Sequence, residues 1–421
     1  MASMIRVALS SAFACLLALA CGETAAPNPD DSPDAIIGGS AARGATLDAI
    51  GSLRTRTEEG AGENLGDAGL TMVPSGFDGM CTATLVSPSL IVTAKHCATR
   101  APDTTVPRTD SEPVFFTIGS DSSTPKRVIR VLRTWLSPVI DEGYVGHGSD
   151  VAVMQLAEPV TDVKPLRVAA AHLPSSLVGS RLSAVGFGYR DRQTRMGARR
   201  AGTLTLQATS GRLLGDVFSS SDELIAFAKR ESPEAFGAED ADRLLGLWDR
   251  TLLPEYEAFL GLAYGDAQPC NGDSGAPLVA RVGDELVVAG VVSGSHKLSN
   301  RVANPCSVLG QVYATFGPLV QTTFDVAQVR TGETIGRLRL ATVAKGSESS
   351  LPPETAVADG GTLADRCQGL PKNGRCSDGT VQRCIAEAEG PPRPARIDCT
   401  LLLSTCKMVS NVAGCVDVAA P

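Results

Sequence analysis

Cys270-Asn271-Gly272-Asp273-Ser274-Gly275-Ala276-Pro277-Leu278 is the stretch on which the reading of this chain turns. A serine hydroxyl stands among small residues, with glycines on either side that let backbone and a second molecule approach it closely. The N–H groups of Gly272 and Ser274 can then point at one developing oxyanion. A serine attacks a carbonyl only if a base takes its proton near neutral pH and an acid holds that base in the right tautomer. Two other segments supply those partners. Leu90-Ile91-Val92-Thr93-Ala94-Lys95-His96-Cys97 is an apolar, β-branched run that ends on a histidine, where a loop can present the imidazole. Gly148-Ser149-Asp150-Val151-Ala152-Val153-Met154-Gln155-Leu156 sets a carboxylate directly before an apolar strand that would bury it.

Any one histidine or serine is more often structural than catalytic, so it is the agreement of the three contexts that counts. Asp141 and His147 lie near Asp150, but neither directly precedes the apolar strand, and Asp150 is the preferred acid. His172 reads as a surface or core histidine, and His296 as a loop histidine after Ser293-Gly294-Ser295.

In their chain order the three segments resemble the TAAHC, DIALLKL and GDSGGP motifs of the chymotrypsin/trypsin family of serine proteases. The resemblance covers about residues 36–330. It implies a mainly β fold of two six-stranded antiparallel Greek-key barrels and a triad in which Ser274 attacks, His96 shuttles the proton and Asp150 orients the imidazole. Gly272 and Ser274 would form the oxyanion hole. An α/β-hydrolase is excluded: it needs Gly-x-Ser-x-Gly and the order serine, acid, histidine, whereas Ala276 occupies the last glycine's place and His96 comes first.

The resemblance also implies two disulfides, Cys81 to Cys97 beside the histidine and Cys270 to Cys306 along the specificity pocket. Ile36-Ile37-Gly38-Gly39 resembles the family's activated N-terminus, whose new amino group would pair with Asp273 after a cut behind Ala35. A trypsin-like activator would not favour that site, so an activating protease of another specificity is implied. The pocket departs from the trypsin pattern. Counting back from Ser274 puts the neutral Gln268 where trypsins carry the aspartate that selects Lys and Arg. Gly294 stands where a tryptophan is common, and Gln311 precedes Val312-Tyr313. Gln268, Ser293, Gly294, Ser295 and Gln311 are therefore the candidate substrate-binding residues, and trypsin-like specificity is not expected.

Outward from the motifs, the chain divides by composition. Arg6 precedes an apolar run from Val7 to Ala20 that ends Ala18-Leu19-Ala20, the pattern of a secretory signal peptide over residues 1–20. Cys21 follows directly, either as the lipid-modified cysteine of a bacterial-type lipoprotein, a tether to the cell envelope, or as an unmodified thiol after ordinary cleavage. Residues 21–35, with Asp30, Asp31 and Asp34, have little to bury and read as a propeptide or tether. Short β-branched runs broken by Gly, Pro and Ser continue from Ile36 to about residue 345.

A helical insertion is expected over about 215–265. Ser220-Ser221-Asp222-Glu223 resembles a capping box ahead of Leu224, Ile225, Phe227 and Ala228, and Leu244, Trp248 and Leu252 recur at four-residue spacing before Pro254. Residues 346–366 read as a linker. Residues 367–421 carry Cys367, Cys376, Cys384, Cys399, Cys406 and Cys415, a disulfide-rich module whose fifteen formal pairings the sequence does not choose among.

The whole chain has net charge -8 and 12 cysteines, which speaks against a nucleic-acid partner and for an oxidising compartment. Neither cofactor nor metal is called for: no Cys-x-x-Cys or histidine pair at ligand spacing accompanies the motifs. The expected function is that of an exported serine endopeptidase acting on proteins or peptides, with a non-catalytic homologue that binds a partner as the alternative.

Overall fold

The structure is a computed structural model. It describes residue 36, residues 39–340 apart from 57–76, 100–104, 139–147, 190–196, 214–217, 232–236, 262–265 and 296–309, and the strand segments 375–377, 380–385, 393–398, 404–409 and 412–417. The leader, the whole 21–35 segment with Cys21, Asp141, His147, His296, Cys306 and the 346–366 linker lie outside the described residues.

A short strand β1 (Ser40–Ala41) is followed by six strands that close on themselves: β2 (Ile50–Arg56), β3 (Phe77–Ser87), β4 (Leu90–Thr93), β5 (Val114–Ile118), β6 (Arg127–Leu136) and β7 (Ala152–Leu156). Between β4 and β5 a single turn of helix, α1 (Lys95–Ala98), carries the histidine. After β8 (Arg167–Ala169) come β9 (Arg181–Gly186), β10 (Arg200–Ala208), β11 (Gly211–Arg212), helices α2 (Ser221–Glu231) and α3 (Ala238–Trp248), and β12 (Thr251–Leu252). Then follow β13 (Glu257–Leu260), β14 (Pro277–Val282), β15 (Glu285–Ser295), β16 (Gln311–Thr315), helix α4 (Pro318–Thr331) and β17 (Arg337–Leu338).

Strands β9, β10, β13, β14, β15 and β16 form a second closed ring. Taken in chain order within each barrel, both rings run first, second, third, sixth, fifth, fourth. This is the pair of antiparallel six-stranded barrels that the family resemblance implies. Closure leaves neither barrel with an unpaired edge. Because each strand has one face inside a barrel and the other covered by its neighbours, runs such as Leu90–Thr93 and Val114–Ile118 are buried throughout rather than in alternation. Leu53, Leu85, Ile91 and Phe116 fill the first barrel's part of a continuous core, and Leu182, Leu204, Leu278 and Val288 the second's.

The insertion lies between the second and third strands of the second barrel. Its first helix starts as expected: the Glu223 amide donates to Ser220 Oγ (3.1 Å), while Glu223 Oε2 accepts from the Ser219 amide (2.7 Å). The second differs, because α3 stops at Trp248 and Leu252 belongs to β12, paired with Gly211. Leu252 is buried by this strand pairing and not by a helical face, so its spacing from Trp248 mimics a period that the backbone does not have. Helix α4 has no counterpart in the sequence reading. Its buried positions, Val320, Thr323, Phe324 and Ala327, include a threonine, which blurs the apolar stripe. Beyond residue 366 the chain forms a three-stranded sheet, β18 (Arg375–Ser377), β19 (Thr380–Ile385) and β20 (Arg393–Asp398), and a hairpin, β21 (Ser404–Val409) with β22 (Val412–Asp417).

Candidate active site

The site lies at the junction of the two barrels, where several backbone ties cross. Thr82 of β3 donates its amide to the Ser274 carbonyl (2.8 Å) and its hydroxyl to the Gly272 carbonyl (3.1 Å). Gly275 donates to Val292 of β15 (2.8 Å), and Val292 donates back to Ala276 (2.9 Å). The serine turn is thus stitched to β3 on one side and to β15 on the other. Gly275 has φ +77°, and a Cβ there would strike Thr93 Oγ1, the Thr82 carbonyl oxygen and the Ala94 amide. Only glycine lets Ser274 lie this close to the strand end that delivers His96.

His96 follows β4 on α1, and the disulfide between Cys81 and Cys97 ties that turn to β3 across a Cα separation of 6.1 Å. The expected pairing is therefore present. It also removes both sulfurs as thiolate ligands, although they lie close to the imidazole. Asp150 is fully buried. Its Oδ1 accepts from the His96 amide (2.9 Å), and its Oδ2 pairs with His96 Nδ1 (2.7 Å) and accepts from Ser293 Oγ (2.7 Å). A carboxylate only accepts, so this pairing puts the Nδ1 proton towards Asp150 and leaves Nε2 unprotonated in the neutral ring, as a base requires. The imidazole is 29 % exposed, open on one side. Burial pushes its pKa down, but the charge and hydrogen bond of Asp150 outweigh that and leave it raised.

In the serine turn, the amides of Asp273, Gly275 and Ala276 donate to Cys270, Val292 and Asp273 carbonyls. Among the described residues, those of Gly272 and Ser274 have no internal acceptor. Two unspent donors flank the hydroxyl, the arrangement that an oxyanion requires.

The amino group that the resemblance implies for the activated form arises only after a cut behind Ala35. In this uncut chain Ile36 is buried with φ +49°, an unfavourable conformation for a β-branched residue. Its carbonyl accepts from Gly39 (2.6 Å). Asp273 Oδ1 and Oδ2 accept from the amides of Gly188 (2.8 Å) and Cys270 (2.9 Å). Full burial raises this carboxyl's pKa to about 7, with the two amide hydrogen bonds acting against the rise. The positive charge that would reverse this does not exist while Ala35 and Ile36 remain joined.

Of the pocket residues, Gly294 and Ser295 pair with Val312 and Gln311 across β15 and β16. Gln268 and Gln311 are buried, and Gln311 Nε2 donates to the Pro269 carbonyl (3.0 Å) in the segment leading to Ser274. Ser293, expected among the substrate-binding residues, turns its hydroxyl to Asp150. Cys270 is disulfide-bonded, but its expected partner, Cys306, lies outside the described residues. His172 is half-buried after β8, away from these contacts.

Two contributors escaped the sequence reading. Glu257 of β13 is buried and accepts from the amides of Gly148 (2.9 Å) and Leu253 (2.9 Å), so the second barrel holds the loop that carries Asp150. Nothing near Glu257 in the chain signals this. Lys95 could have been noticed, since it stands where the related motif has alanine.

Residues 65–212 match the family model of trypsin, a span that includes His96 and Asp150 and ends before Ser274. No curated protein matched the chain. That match, with two closed six-stranded antiparallel barrels around these residues, supports the chymotrypsin/trypsin-like serine protease family for the domain they form.

Proposed function

We propose that this protein is an exported serine endopeptidase that hydrolyses peptide bonds through an acyl-enzyme on Ser274. The trypsin family match supports a serine protease-type hydrolase, and protein or peptide substrates are in keeping with it. The finer reading rests on one observation above all: Asp150, buried, holds both the backbone and the Nδ1 side of His96. Ser274 Oγ adds to the scissile carbonyl as its proton passes to His96 Nε2, and the carbonyl oxygen, now negative, takes the amides of Gly272 and Ser274. His96 then gives the proton to the leaving amine. Water repeats the sequence on the acyl-enzyme and frees Ser274.

Specificity follows the buried carboxamides. Gln268 offers no charge to a Lys or Arg side chain, and Gln311 fills space behind the serine segment, so cleavage after basic residues is not expected. Export rests on residues 1–20, and a lipid tether on Cys21. Release and activation by a cut after Ala35 rest on the Ile36 segment and on Asp273. The domain plan is a protease domain over 36–345, with a linker and a cysteine-rich module behind it.

The test is labelling of the native secreted protein with a fluorophosphonate, compared with Ser274→Ala. Labelling of wild type alone is the expected result. Equal labelling of the two proteins would overturn the enzyme reading and leave a binding homologue.

A further inference from the structure

We propose that Lys95 is a positioning residue for the His96–Asp150 pair: its ammonium braces the segment that carries Asp150 and places a positive charge beside that carboxylate. This rests on the triad reading above. Lys95 is the residue before His96, in the first turn of α1, and it is only 4 % exposed. A buried ammonium persists only where acceptors and a counter-charge meet it. Here its Nζ reaches the carbonyl oxygens of Ser137 (3.3 Å) and Pro138 (3.5 Å) at the end of β6.

Those two residues also hold the Asp150 segment. Ser137 Oγ donates to the Ser149 carbonyl, Ser149 Oγ donates to the Pro138 carbonyl, and the Ser137 amide donates to the Val151 carbonyl (3.0 Å). Lys95 therefore closes a ring of contacts that runs from the histidine turn through β6 to both sides of Asp150. The negative charge facing it is Asp150 itself, which works against the lowering of its pKa by burial.

Among the described residues, the ionisable groups brought to this segment are His96 on the same turn, Asp150 before β7 and Glu257 on β13 through the Gly148 amide. From β6 the group meets carbonyl and hydroxyl oxygens, and from β15 the Ser293 hydroxyl reaches the same carboxylate. Asp150 favours the imidazolium. Lys95 is the one cation among them and opposes it. The consequence is a neutral, reactive His96 at lower pH than the carboxylates alone would allow.

The test is the pH dependence of the fluorophosphonate labelling rate, which reports the free protein's essential base without needing a known peptide substrate. Wild type is compared with Lys95→Met, which keeps the stem and loses the charge, and with Lys95→Ala, which restores the residue of the related motif. The acid limb should move up by about 0.5–1 pH unit in both variants. One unit below the wild-type midpoint this appears as a rate reduced about 3- to 10-fold. A residue that only packs would lower the rate at all pH values in Lys95→Ala and leave the Lys95→Met midpoint where wild type has it. That outcome would overturn the proposal, and Lys95→Ala decides the question alone if Lys95→Met does not fold. Labelling of Ser274→Ala equal to wild type would instead remove the enzyme reading beneath it.

Discussion

In the uncut chain Asp273 should make the fold lose stability as pH rises, and Asp273→Asn should abolish that loss. The carboxyl is fully buried with two amide donors and, among the described residues, no cation, and its pKa rises from 3.8 to about 7. A carboxyl raised in the folded state binds its proton there more tightly than in the unfolded chain. Its contribution is fully present below the unfolded value near pH 4, and is lost as pH climbs through the folded value near 7. At about 1.4 kcal/mol per unit the whole window is worth about 4 kcal/mol.

The assay is urea denaturation between pH 4 and 8 on protein carrying Ser274→Ala, so that it cannot cut itself. Asp273→Asn keeps one acceptor for Gly188 or Cys270 and turns its NH2 on the other amide, a cost of about 1–3 kcal/mol that does not vary with pH. The slopes therefore decide the matter and not the absolute stabilities. Wild type should fall by about 4 kcal/mol relative to the variant across the window. Parallel curves would refute the reasoning. A cut after Ala35 that brings an ammonium to Asp273 should depress its pKa and remove or reverse the same slope.

Ser293→Ala removes one hydrogen bond to Asp150, and labelling of Ser274 should slow by about 10-fold, with the acid limb moving up because the carboxylate holds the imidazolium more strongly. Replacing Cys81 and Cys97 together by alanine opens a loop of sequence separation 16 and should lower stability by about 3 kcal/mol, read by denaturation under non-reducing conditions.

The two helices of the insertion illustrate how far local sequence reaches. At Ser220 the capping residue and its partner three positions on are neighbours in the chain, so the start of α2 could be read directly. At Leu252 the apparent period failed because a strand partner forty residues earlier claimed the residue. Helix α4 stayed hidden for the related reason that its buried face is defined by what it packs against. The same contrast holds in the site. His96, Asp150 and Ser274 were legible because each sits in a short segment whose chemistry is local: a strand end, a buried strand start and a glycine-lined turn. Glu257 and the Asp150-facing hydroxyl of Ser293 were not, because their partners lie 109 and 143 residues away.

From the sequence by itself came the three motifs, the β-rich character, the Cys81–Cys97 pairing implied by the resemblance, and the departures at Gln268, Gly294 and Gln311. Tertiary structure alone decided that two barrels of identical ring order meet along the site, that Asp150 is held by the His96 amide, the imidazole and the Ser293 hydroxyl, that Asp273 lies buried with no counter-charge among the described residues, and that the Lys95 ammonium reaches the Ser137 carbonyl. Periodicity and turn chemistry are encoded within a few residues. A buried charge takes its energy from whichever distant groups the fold sets around it, and those appear only when the barrels close.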